Sequence, residues 1–287
     1  MTSSRHLVLI TGATRGLGRL VAQKFWQDGN DIILIARSDA DLKKTACELT
    51  ESFRCKQDIQ TFSADLSKID ILPSLIKKIQ TTVGNPDIII NNAAIQGPIG
   101  PVHMNDWEEW KTCLDICLLA PVQICRGFLP TMIERKYGRI INISGGGATA
   151  PRVNFSSYAT AKCGLVRFSE TLAGEVSQYN ITVNCVAPGV MKSNLTKDIL
   201  RAGKQNAGNS EFETALKLSE IDPHSEERAS ELVHFLTTDA CNSITGKLIS
   251  AIWDRWEKMP DAAPALMNND VYTLRRILPQ ERNIHLE

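Results

Sequence analysis

A short apolar run, Leu7–Thr11, opens directly into Thr11-Gly12-Ala13-Thr14-Arg15-Gly16-Leu17-Gly18. An amphipathic stretch follows from Gly16 to about Asp28, where Gly29 stops it. This turn restricts the fold more tightly than any other feature of the chain. Glycines are needed where a strand bends sharply into a helix and where backbone must approach a ligand or other backbone closely. The start of such a helix offers N–H groups and the positive end of its dipole, which suit a phosphate or pyrophosphate. A glycine-rich turn without a ligand has the same spacing. The strand before it and the helix after it favour the phosphate-binding form.

The alternation continues along the chain. Asp31–Ala36, Ile59–Ser63, Asp87–Asn91, Arg139–Ile143, Ile181–Ala187 and Lys247–Ile252 read as further strands. Helical patterns begin at Asp39 and run over about Lys68–Val83, Trp107–Arg135, Tyr158–Tyr179 and Glu226–Thr237. Apolar strands separated by helices imply a parallel sheet buried on both faces. Right-handed crossovers then leave an α/β, Rossmann-type doubly wound sheet of about seven strands in a single domain. That domain is expected over 1–253, with a C-terminal extension over 254–287. The segment Ser193–His224 is polar and breaks the alternation, so it reads as a mobile flap.

Composition narrows the class of partner. The chain has 32 Lys+Arg against 32 Asp+Glu, so no charge excess points to nucleic acid or an anionic membrane. The first apolar run is too short for a secretory signal, and no stretch is expected to reach the roughly 18 apolar residues of a membrane span. A cytoplasmic protein is expected. The eight cysteines form no C-x-x-C pair. Cys113 and Cys117 share a helix face, and burial accounts for them better than metal binding, so no metal site is expected.

At the glycine turn the chain resembles the short-chain dehydrogenase/reductase family, whose signature is T-G-x-x-x-G-x-G. The resemblance continues through Asn91-Asn92-Ala93-Ala94, Asp65 after the third strand, Tyr158-Ala159-Thr160-Ala161-Lys162 and Pro188-Gly189. It implies a nicotinamide cofactor held along Gly12, Arg15, Gly16, Leu17 and Gly18. It places the adenosine end by Arg37, Asp65 and Leu66. Asn92, Ala93, Pro188, Gly189, Val190 and Ser193 follow along the remainder, and Lys162 reaches the nicotinamide ribose. It further implies that 193–224 closes as a substrate lid. A homodimer or homotetramer through the Trp107–Arg135 and Tyr158–Tyr179 helices is implied too.

NAD would call for an acidic side chain at the end of the second strand, where Ala36-Arg37-Ser38 stands instead. Arg37 and Arg15 suit a 2′-phosphate, so NADP(H) is favoured, with NAD(H) open.

Tyr158 and Lys162 lie one helical turn apart and share a face. A free phenol titrates near ~10, and a nearby ammonium lowers that value. The resemblance makes Tyr158 the acid/base and Lys162 its helper on a carbonyl or alcohol substrate. Two members of the family's set are missing. Gly145 stands where a carbonyl-polarising Ser is usual, and Cys117 where a supporting Asn is usual. Three readings stay open for Gly145. A backbone N–H, Ser144, Thr149, Ser156 or Ser157 replaces the hydroxyl. The substrate supplies the group itself. Or the chain is a catalytically impaired NADP(H)-binding protein with a sensor or assembly role. Beyond the last strand, Trp253, Arg275 and Arg276 either reach the substrate or, the preferred reading, pack on their own subunit or a neighbour.

Overall fold

The computed structural model describes residues 5–53, 56–220 and 224–284. Its seven strands are β1 (Leu7–Thr11), β2 (Asp31–Ala36), β3 (Ile59–Ser63), β4 (Ile88–Asn91), β5 (Gly138–Ile143), β6 (Ile181–Ala187) and β7 (Leu248–Ser250). They form one sheet in the order β3-β2-β1-β4-β5-β6-β7, every pair parallel. The order reverses between β1 and β4, and open α/β sheets bind ligands in the crevice at the carboxyl ends of strands at such a point. The expected doubly wound sheet is therefore present.

Alternate strand residues feed two cores. Val8, Ile10, Ile32, Leu34, Ile88 and Ile90 face one side, with α1 (Gly16–Gln27), α2 (Asp39–Ser52) and α9 (His224–Phe235) over them. Leu9, Ile33, Ile35, Ile89 and Ile140 face the other. That side is covered by α3 (Leu72–Thr82), α4 (Trp107–Leu114), α5 (Ala120–Arg135) and α6 (Ser156–Val176). The helices α4 and α5 are joined by a π-helical turn over Asp115–Leu119, so Trp107–Arg135 is one run of 29 residues. Its mean hydropathy reaches 1.6, long and apolar enough to span a bilayer by those measures, which corrects the expectation that no stretch would. Its apolar face, including Cys113, Cys117, Ile124 and Phe128, is buried in the second core, which accounts for the composition.

The segment expected to form a flap carries regular structure. Residues 193–224 are helical, as α7 (Asn194–Ala207), α8 (Asn209–Glu220) and the start of α9, with 221–223 outside the described residues. Ile199, Ala207 and Ala215 bury a narrow apolar seam against Phe155. The rest of the segment is polar because it faces outward. Gly203 (φ 72°) and Gly208 (φ 85°) break the helical path.

The extension folds onto its own chain. The Leu248 N–H donates to Tyr272 O at 2.8 Å, continuing the sheet edge. Lys247 Nζ donates to the carbonyls of Asn269 and Val271 at 2.8 and 2.9 Å. The segment ends in a helix, α10 (Ala263–Met267), and irregular turns.

Asp87 closes the amino end of the sheet. It accepts from the Leu7 N–H at 2.8 Å and pairs with Arg135 Nη1 at 3.0 Å. Burial pushes its carboxyl up, but His6, the Leu7 N–H and Arg135 together outweigh that and hold it below the usual value. Its contacts therefore contribute stability at neutral pH that is lost as pH falls through that lowered value. Asp87→Asn is expected to cost about 1–3 kcal/mol at pH 7. In urea titrations the gap from the parent should close in acid; a gap independent of pH would contradict this role.

Candidate active site

The turn after β1 is built so closely that side chains are excluded from it. Gly12 has φ 65°, and a β-carbon there would lie 2.9 Å from Ala93 Cα. A β-carbon at Gly18 would overlap Gly12 O and Asn92 Nδ2. Asn92 Nδ2 donates to the carbonyls of Thr11 and Gly12 at 2.9 and 3.2 Å. Thr11 Oγ1 accepts from the N–H groups of Asn92 and Ala93, both at 3.0 Å. So β4 and the glycine turn are tied together across the point where strand order reverses. Helix α1 starts at Gly16 with extended backbone at Arg15, and no side chain caps it. Leu17 is buried, whereas Gly16 is open on its outer side.

Arg15 and Arg37 are both exposed, one in this turn and one just past β2. The neighbouring Ser38 is committed to capping α2, accepting from Asp41 N at 3.1 Å. Asp65 follows β3 and accepts from Ser67 N and Oγ at 3.1 and 2.9 Å. Leu66 beside it is buried. On the other side of the crevice, Pro188 and Gly189 follow β6. Gly189 has φ 85°, and a β-carbon there would strike Ile252 at 2.6 Å. Val190 is exposed, and Ser193 stands at the head of α7 with a hydroxyl that makes no cap.

Tyr158 and Lys162 lie in the opening turns of α6, both buried. Lys162 Nζ donates to Ile143 O, the last residue of β5, at 2.7 Å. It sits 5.5 Å from the Tyr158 ring centre. Burial pushes the Tyr158 phenol well up, Cys117 and Cys113 add to that, and Arg152 draws it down. Arg152 thus adds a second cation beside the ring, next to Lys162.

Gly145 is filled from across the site. A β-carbon there would overlap the Tyr158 hydroxyl and lie 3.0 Å from two ring carbons. The ring therefore occupies the space a side chain at 145 would need. Of the hydroxyls considered as substitutes, Thr149 is exposed and Ser156 accepts from Trp110 Nε1 at 3.0 Å. Ser157 is buried facing Cys113. Ser144 is 2% exposed, and its Oγ has no hydrogen-bond partner among the described residues. Cys117 lies in the π-helical turn, where its thiol donates to Ile95 O at 3.4 Å. Cys113 bonds to Cys117, and Lys162 is near, so Cys117 is the more easily ionised of the two thiols.

The short chain dehydrogenase family matches residues 6–203. The chain belongs to that family. By that membership it is an oxidoreductase. It is 30% identical over 243 residues to the 3-oxoacyl-acyl-carrier-protein reductase FabG of Aquifex aeolicus, spanning 84% of this chain and 93% of the relative. The FabG of Escherichia coli K12 is 30% identical over 249 residues, spanning 87% and 96%. Among solved structures, L-sorbose reductase from Gluconobacter frateurii complexed with NADPH and L-sorbose superposes with a TM-score of 0.74 at 26% identity. That match covers 86% of this chain and 95% of the other. An actinorhodin polyketide ketoreductase with NADPH gives 0.75 at 25% identity, covering 86% and 95%.

In this dehydrogenase the sequence reading missed one group beside Tyr158. Arg152, in the loop between β5 and α6, carries no motif, and its partners Gln96 and Glu211 are remote in sequence. Arg275 pairs with Asp270 and Glu281, both at 2.7 Å and both in the extension, and Trp253 is 85% exposed. Arg275 is thus held within the extension, and Trp253 stands open to solvent.

Proposed function

We propose that the chain is an NADP(H)-dependent oxidoreductase that interconverts a carbonyl and a secondary alcohol. One observation carries the reading. Buried Tyr158 and Lys162 stand at the carboxyl end of β5, on the same sheet edge as the glycine turn after β1, with β4 between. The NADPH complexes of the sorbose reductase and the ketoreductase support the cofactor, and the FabG relatives support reduction of a carbonyl.

The cradle left free of β-carbons at Gly12 and Gly18 and the uncapped start of α1 fit a pyrophosphate. When bound, the nicotinamide supplies or accepts the hydride. Tyr158 donates its phenolic proton to the substrate oxygen in reduction, and its phenolate takes that proton back in oxidation. Lys162, 5.5 Å from the Tyr158 ring centre, would meet a ribose hydroxyl. Asn92, Ala93, Pro188, Gly189, Val190 and Ser193 line the rest of the binding crevice, and 193–224 closes over the substrate. A cytoplasmic homodimer or homotetramer through α4–α5 and α6 is the expected assembly.

Arg15 and Arg37 select the 2′-phosphate. Arg37→Asp is expected to weaken NADPH binding at least about tenfold, since a charge-assisted bond is replaced by repulsion. NADH binding should change little. Calorimetry with both cofactors checks this, and tighter binding of NADH by the parent protein would overturn the assignment.

A second reading, a cofactor-binding protein with a sensor or assembly role, is favoured by the absence of any side chain at 145. Turnover of NADPH against a broad panel of ketones and aldehydes separates the two. Binding without turnover across the panel supports the second.

A further inference from the structure

Arg152 is a cation beside Tyr158 that the family signature does not announce. Its side chain is only 14% exposed. Nε and Nη2 donate to the two carboxylate oxygens of Glu211, in the first turn of α8, both at 2.8 Å. With the Gln96 amide turned to satisfy both groups, its oxygen accepts from Nη1 and Nη2 at 3.1 Å. A guanidinium has five N–H donors in a fixed fork, and these two partners take four of them. The group is therefore committed before any substrate arrives.

Its flat face does further work. The guanidinium carbon lies 3.8 Å from the Phe155 ring centre and 5.7 Å from that of Tyr158. Phe155 is fully buried and is the residue on which Ile199, Ala207 and Ala215 of the lid are seated. The Tyr158 ring also meets Gly145, and Arg152 itself runs past Gly146 and Gly147. The lid, Arg152, Tyr158 and Gly145 thus form one contiguous stack. Gly208 (φ 85°), immediately before α8, has nothing within 4 Å of where a β-carbon would stand, so it serves as a joint and not as a packing site. A cavity of about 280 Å³ lies between Pro151–Asn154 and Ala207–Glu211, walled by the Arg152–Glu211 pair.

We propose that Arg152 is a positioning residue: paired with Glu211, it fastens α8 over the site and holds the Tyr158 ring against Gly145, so that lid closure and Tyr158 placement are a single event. The pair is bidentate, with the arginine side chain 14% and the glutamate side chain 32% exposed, which sets it apart from a fully solvated surface bridge. The inference rests on Tyr158 being the acid/base, and its test does not.

The groups facing Tyr158 are Arg152 from the preceding loop, Lys162 from α6, Cys113 from α4 and Cys117 from the π-helical turn. Loss of Arg152 removes one of the two cations, so the phenol should titrate higher. The full chain is compared as parent, Arg152→Gln, Glu211→Gln and the reversed pair Arg152→Glu with Glu211→Arg. Limited proteolysis within 193–220 reads the lid. Tyrosinate absorbance, taken as the difference from the matching Tyr158→Phe protein, reads the phenol.

Each single variant should be cleaved about tenfold faster, and the reversed pair should regain protection. Arg152→Gln should also raise the phenol titration, while Glu211→Gln moves it less. Unchanged cleavage in the single variants, or no recovery in the reversed pair, overturns the latch. A variant that leaves cleavage and titration alone but raises KM for carboxylate-bearing substrates would make Arg152 a substrate anchor and overturn it equally. Absence of turnover in the parent, with the latch behaviour intact, would instead count against the proposed reaction.

Discussion

Tyr158→Phe is expected to slow hydride transfer by roughly 10²- to 10⁴-fold, the usual contribution of a positioned acid/base. NADPH affinity should hardly change. The Tyr158 ring is buried among Gly145, Arg152 and Lys162, so removing one oxygen leaves its packing in place. Burial and the two cysteines hold the phenol above its ordinary value. At neutral pH it is therefore protonated, the form that reduction needs. Oxidation needs the phenolate, so its rate should climb roughly tenfold per pH unit through the alkaline range. Reduction should stay flat there until the phenol titrates. Single-turnover nicotinamide absorbance in both directions measures each limb. A Phe variant within about tenfold of the parent, or oxidation independent of pH, would remove Tyr158 from the chemistry.

The sheet could be read from the chain because its strands β1, β2 and β4 are apolar on both faces. Val8, Leu9 and Ile10 feed alternate cores, and so do Ile88, Ile89 and Ile90, which makes the runs continuous. The glycine turn was legible for a related reason, since close backbone approach tolerates no side chain and leaves glycine as a visible trace. The helices within 193–220 were not legible because their buried seam is only a few residues wide. Ile199, Ala207 and Ala215 are too sparse to outweigh the polar surroundings, and their partner Phe155 lies in another part of the chain. Arg152 was invisible for the same reason: pairing with Gln96 and Glu211 is a tertiary event without local spacing. At Gly145 the family resemblance implied that a hydroxyl was missing. It did not show that the Tyr158 ring stands in its place, because that depends on the packing of α6 against the end of β5.

That exchange makes Gly145→Ser the most discriminating substitution in the site. Restoring the hydroxyl that the family resemblance places here should lower turnover, not raise it. A β-carbon at 145 would overlap the Tyr158 hydroxyl and press on two ring carbons at 3.0 Å. The ring cannot simply swing aside, because it is 5% exposed, with Arg152 and Lys162 against it. Either the ring or the strand end must shift, and overpacking of this kind costs about 1–3 kcal/mol. A displacement of about 1 Å at a reacting group costs on the order of 10²-fold in rate. Gly145→Ala adds the same β-carbon without a hydroxyl and separates the two effects. If sterics dominate, both variants lose activity to a similar degree and both lower the unfolding midpoint. Turnover that rises in the serine variant while falling in the alanine one would show that the ring does move aside. Catalysis in the parent would then be limited by the missing hydroxyl, and the close approach of Tyr158 to Gly145 would describe a resting arrangement and not the working one.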